Sequence, residues 1–110
     1  MTVAEISSMI GTLEIPFAYY QFPEGRTAQP CPFICFYLPS NDDFIADNQN
    51  YVGISRLIIE LYTDEKDFSL ESQVESMLRT NEIVYTKTET YIDSERMYMI
   101  VYESEVILNA

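Results

Sequence analysis

The chain has no histidine and no tryptophan, only two cysteines and three glycines, and just six cationic side chains among its 110 residues. Without histidine the commonest general base is missing, and no Ser–His or Cys–His nucleophile can be assembled. Cys31 and Cys35 are the only thiols, so zinc cannot find four of its usual ligands. Four residues apart on an extended segment, they also lie too far apart to bond to each other, and they read as small buried hydrophobes. The phosphate-cradling patterns G-x-x-x-x-G-K-[ST] and G-x-G-x-x-G do not occur. The longest strongly apolar runs, 32–38 and 57–61, fall far short of the ~20 residues of a membrane-crossing helix. The N-terminus lacks a basic stretch followed by an apolar one, which predicts a chain folded in a cytoplasm.

What is present is acid and aromatic. Eighteen acidic residues against six basic ones give a net charge of −12. Such a chain repels phosphate backbones and anionic membranes, so neither specific nucleic-acid binding nor a membrane partner is expected. Hydrophobic residues make up 47% of the sequence and recur throughout it, enough for one core in one domain spanning 1–110.

The apolar spacing orders the elements. Residues 2 to about 12 read as a helix, with Thr2 and Glu5 as a capping box, Val3, Ile6, Ile10 and Leu13 on one face, and Gly11 as a left-handed C-cap. Residues 15–22 and 32–38 read as strands, the second apolar on both faces and therefore covered on both sides. Residues 40–50 are polar and read as a loop. Residues 51–63 read as a long strand. Its Leu57, Ile59 and Leu61 face the core, and Arg56, Ile58, Glu60 and Tyr62 face solvent or another subunit. Residues 67 to about 79 form a second helix on Leu70, Val74, Met77 and Leu78, capped by Asp67 or Ser69 and ended at Asn81. Residues 83–92 and 97–108 make a hairpin around the turn 93–96. The expected fold class is α+β: helix, strand, strand, strand, helix, strand, strand, with a mostly antiparallel or mixed sheet and both helices on one face.

No catalytic constellation emerges, and the chain is not expected to be an enzyme or to carry a cofactor. Asp42, Asp43 and Asp47 offer oxygen ligands for a hard cation. Their spacing is not that of an EF-hand loop, and a solvated acidic loop is the plainer reading. Glu103 and Glu105 share a strand face at a spacing common by chance. The nine tyrosines weigh more, because tyrosine joins a large rigid body to a polar tip and is enriched at protein interfaces.

Several segments together resemble the small tail-terminator, or tail-completion, proteins of long-tailed phages and prophages of Gram-positive hosts. They are the N-terminal helix leading into Ile15-Pro16-Phe17-Ala18-Tyr19 and the Pro-bounded strand Pro32-Phe33-Ile34-Cys35-Phe36-Tyr37. To these add Leu61-Tyr62-Thr63-Asp64-Glu65-Lys66-Asp67-Phe68 and the hairpin of Lys87-Thr88-Glu89-Thr90-Tyr91-Ile92 with Met97-Tyr98. The resemblance implies a structural protein of the virion tail, assembled in the host cytoplasm. It would form a ring of six copies on the head-proximal end of the tail tube, stop tube polymerisation and present a docking surface to the head–tail connector. Its partners would be itself, the major tail tube protein and the connector, with DNA passing through the ring unbound. The loops 21–29 and 41–50 are the expected contact elements. The candidate contact residues are Arg26, Asp42, Asp43, Phe44, Asp47, Arg56, Tyr62, Tyr85 and Tyr91. A related head–tail joining protein and an acidic bacterial binding or inhibitor module are the alternatives.

Overall fold

The computed structural model describes residues 1–25, 29–41, 44–46 and 49–108, with the backbone alone for 44–46 and 49–52. Helix α1 spans Val3–Gly11. Strands β1 (Phe17–Tyr19) and β2 (Phe33–Tyr37) follow, then the short pair β3 (Phe44–Ala46) and β4 (Gln49–Val52), and the long strand β5 (Ile54–Thr63). Helix α2 (Phe68–Thr80) leads into the hairpin of β6 (Tyr85–Ile92) and β7 (Met97–Ile107).

Five strands form one mixed sheet in the order β1-β2-β5-β7-β6, and β3 and β4 form a separate two-stranded sheet. Only β1 and β2 run parallel; the other neighbours are antiparallel. Both helices pack on one sheet face, as the α+β reading expects. Ile6, Met9 and Ile10 of α1 and Leu70, Val74, Met77 and Leu78 of α2 share one core with Ile34, Phe36, Leu57, Ile59, Leu61, Ile100 and Tyr102. Each such side chain, fully buried, contributes roughly 1.5–3 kcal/mol.

The helix ends follow local chemistry. Thr2 and Glu5 form the expected capping box, each side chain accepting from the other's amide at 3.1 Å. Asp67, not Ser69, caps α2 by accepting from the Leu70 amide at 2.9 Å. The left-handed residue after α1 is Glu14 (φ 59°), whereas Gly11 stays helical and Thr12 is the cap. The expectation for Gly11 is therefore corrected: three further amides, of Thr12, Leu13 and Glu14, bond back to Met9, Ile10 and Gly11, so the chain turns only after one more tight turn.

Two expectations about the middle of the chain also change. The strand read over 51–63 is two strands, and the segment 40–50 read as a loop contains β3. The break falls at Gly53. A Cβ there would sit 2.9 Å from the Leu108 carbonyl, and the Gly53 carbonyl accepts from the Leu108 amide at 2.7 Å. Only glycine lets the end of β7 come this close while the chain leaves the main sheet. Before β3, Ser40 and Asn41 still run beside β5, with the Arg56 amide donating to Ser40. Beyond them β3 and β4 pair with each other in a sheet separate from the main one.

Candidate functional site

The sheet face opposite the helices is read row by row from the register. One row is Phe33, Tyr62, Met99 and Thr90; the next is Cys35, Glu60, Val101 and Thr88. The β2 side of this face is closed by the chain itself. Tyr20, with φ 67°, turns the chain out of β1, and its ring stacks on Tyr37 at 4.6 Å. Phe22 then meets Phe33 edge-on at 5.6 Å, and Phe33 stacks on Tyr62 at 4.7 Å. Phe33, Cys35, Tyr62 and Met97 form a second buried cluster, flanked by Phe22, Cys31, Ile92 and Met99. Burial raises the Cys31 thiol above its ordinary range, and the charge of Asp64 adds to the rise.

This arrangement corrects the expectation that Ile58, Glu60 and Tyr62 face solvent or another subunit. Tyr62, expected as a contact, is buried and donates to the equally buried Glu60 at 2.8 Å, which also accepts from Tyr37 at 2.8 Å. The reason is the parallel β1–β2 connection. It must return the chain to the start of β2, and its Tyr20, Phe22 and Cys31 pack on this face. What stays open is the β7–β6 side, where Thr86, Thr88 and Thr90 are exposed beside half-buried Met99 and Val101.

The other expected contact residues scatter. Arg56 pairs with Glu103 of β7, so its charge is used within the chain. Tyr85 and Tyr91 lie on the helix side of the sheet. Tyr85 is half-buried, edge-on to Tyr102 at 5.5 Å, and accepts from Arg79 at 3.4 Å. Tyr91 stays exposed against Tyr98 at 4.9 Å. Phe44 begins β3. Arg26, Asp42, Asp43 and Asp47 lie outside the described residues, and with them the acidic loop considered for a cation.

The densest polar constellation was not foreseen. Glu71 of α2 is 1% exposed, yet two charged partners reach it, Lys66 from the loop before α2 and Lys87 from β6: Lys66 Nζ lies 2.6 Å from Oε2 and Lys87 Nζ lies 2.8 Å from Oε1. Lys87 also meets Glu75 at 2.8 Å, Lys66 also meets Glu89, and the buried Tyr102 hydroxyl donates to Glu75 at 2.9 Å. No local sequence signal links a helix carboxylate to a lysine sixteen positions on. Only the register, which sets Lys87 opposite Tyr102, brings them together.

The protonation directions show what this cluster does. Burial would lower the Lys66 pKa, but its bonds to Glu71 and Glu89 outweigh that and raise it; bonds to Glu71 and Glu75 likewise raise Lys87. Tyr102 is raised well above the ordinary tyrosine range, first by burial and then by its bond to Glu75. A lysine acting as a base needs the opposite shift. The cluster therefore clamps β6 to α2. Burial would raise Glu75, yet bonds from Lys87 and Tyr102 hold it below its ordinary value of 4.5.

The linkage signs follow. The lysines' contribution is complete below their ordinary 10.5 and lost as pH rises through the raised values; Tyr102 opposes folding once the unfolded tyrosine ionises above 10.0. Glu75 contributes above 4.5 and loses its contribution as pH falls through the depressed value. Tyr102→Phe is accordingly expected to cost about 1.5 kcal/mol at pH 7, the worth of a hydrogen bond to a charged group. It should also make the loss of stability above pH 10 shallower. Urea melts at pH 7 and pH 10.5 check both, and an unchanged alkaline slope would remove Tyr102 from this account.

Two open grooves lie at the far end of the sheet. One, of about 420 Å³, is lined by Arg56, Val84, Tyr85, Thr86, Glu103, Ser104 and Glu105. The other, of about 360 Å³, is lined by Met1, Asn81, Glu82, Ile83, Glu105, Val106 and Ile107. Among the described residues, no three His, Cys, Asp or Glu side chains are grouped to hold a metal, and no helix is long and apolar enough to cross a membrane. Comparison with known proteins finds no protein-family model that matches the chain and no curated protein that matches it.

Proposed function

We propose that the chain is a structural protein of a long-tailed phage or prophage virion that caps the head-proximal end of the tail tube, ends tube polymerisation and offers the docking surface for the head–tail connector. The observation that carries this reading is the β3–β4 pair, which forms a two-stranded sheet of its own, separate from the main sheet. A two-stranded ribbon is marginally stable alone in water and gains from a surface outside its own chain. Its strands overlap the segment 41–50 expected to make partner contacts. The charge is compatible with the role: acids lining a ring would let DNA pass without adhering. The partners in this reading are further copies in a ring, the major tail tube protein and the connector.

Deleting the gene from its phage or prophage should yield tails with overlong tubes, measured by negative-stain microscopy. Tails of normal length that fail to join heads would instead assign the chain to the head–tail joint. Complete virions with normal tails would end both readings.

A further inference from the structure

The edge strand β6 carries a pattern that the tail reading does not use. Of the two edges of the main sheet, β1 offers three residues, whereas β6 offers eight in unbroken register with β7. Natural edges are blunted by shortness, proline, bulges or an outward lysine, because an open edge pairs with another chain. β6 is long, regular and free of proline. Its one lysine is no guard: the Lys87 ammonium is drawn over α2 onto Glu71 and Glu75, each at 2.8 Å.

The edge is also its own complement. Around Thr88 the sequence reads Tyr85-Thr86-Lys87-Thr88-Glu89-Thr90-Tyr91. Turned antiparallel upon itself about Thr88, it sets Lys87 opposite Glu89, Thr86 opposite Thr90 and Tyr85 opposite Tyr91, each pair on one face. A shift of one residue along the partner would put Lys87 opposite threonine and break the match. One step beyond the strand, Val84, 87% exposed, would meet Ile92. Lys87 and Glu89 are about a third and nearly half exposed, so both can take a second partner while keeping their own.

We infer that two copies of this chain join through β6 as a twofold antiparallel pair centred on Thr88, making one ten-stranded sheet with all helices on the same side. The pairing belongs to the free chain. A twofold pair presents the same surfaces from both copies, whereas a cap between tube and connector faces two different partners. The inference stands apart from the tail reading, since it concerns the purified protein alone.

Opposed residues at the centre of such a pair have Cα atoms about 4.5–5.5 Å apart, within disulfide reach. In a Cys31→Ser background, Thr88→Cys is expected to give a covalent dimer under mild oxidation, read on a non-reducing gel. Thr86→Cys alone and Thr90→Cys alone should stay monomeric, since each thiol would lie about 13 Å from its own copy. An equimolar mixture of those two variants should cross-link, because residue 86 of one copy faces residue 90 of the other. All three threonines are exposed, so the variants keep the fold. A Thr88→Cys chain that stays monomeric, or a mixture that links no more than its components, overturns the inference. Head-to-tail association through any other surface gives those same negative results and leaves the tail-length test untouched.

Discussion

Phe33→Ala is expected to lower the unfolding free energy by about 3–5 kcal/mol, the range for deleting a large aromatic side chain from a packed interior. Phe33 has no solvent exposure in the single chain. Its ring lies between Phe22 and Tyr62, with centroids at 5.6 Å and 4.7 Å. Truncation would remove the contact that holds the returning segment on the sheet and leave Tyr62 beside a void. Because domains of this size are stable by only about 5–15 kcal/mol, the loss is a large part of the whole. The thermal midpoint should fall by roughly 12 °C or more. Circular dichroism melts measure it. Phe68→Ala supplies the contrast: that ring is 71% exposed and touches the body mainly through Lys66, so it should change stability by less than about 1 kcal/mol. Equal effects at the two positions would mean that this face is not covered in the way described.

The second large effect is expected at Glu71. Removing one member of a buried ion pair costs about 3–5 kcal/mol when the remaining charge is stranded. Here Lys66 and Lys87 keep 22% and 34% of their side chains exposed and can turn toward water, so the expected loss for Glu71→Ala is about 2–3 kcal/mol. Glu71→Gln keeps the shape and loses the charge, and should cost less. Amide hydrogen exchange would separate clamp from filler. Exchange should quicken along β6, which Lys87 ties to α2, more than in β2, which the cluster does not touch. Uniform quickening would show that Glu71 only fills space.

The capping box at Thr2 and Glu5, a start of the second helix at Asp67 or Ser69, the turn at 93–96 and the inward set Leu57, Ile59 and Leu61 could all be read directly, because each depends on residues within a few positions of one another. The β3–β4 pair, which starts inside 40–50 and runs to Val52, does not follow from the loop reading although a cue is present. Phe44-Ile45-Ala46 and Tyr51-Val52 flank an Asp-Asn pair, but with so many polar neighbours the composition reads as loop. Of the expected contact residues, Tyr62 turned out to be buried and Arg56 to be paired within the chain. Periodicity tells which side of a strand a residue takes and is silent on what covers that side.

The amino-acid order by itself determined the α+β class, the two helices with their caps, the closing hairpin and the acidic surface, because these arise from spacing and composition at short range. Only the tertiary structure decided that Tyr20 and Phe22 after β1 cover the β2 side of the outer sheet face, that Lys87 of β6 reaches the buried Glu71 of α2, and that β6 is left as the long open edge. Each of these depends on strand order and register, which are settled by long-range pairing, and no short window of sequence contains both partners.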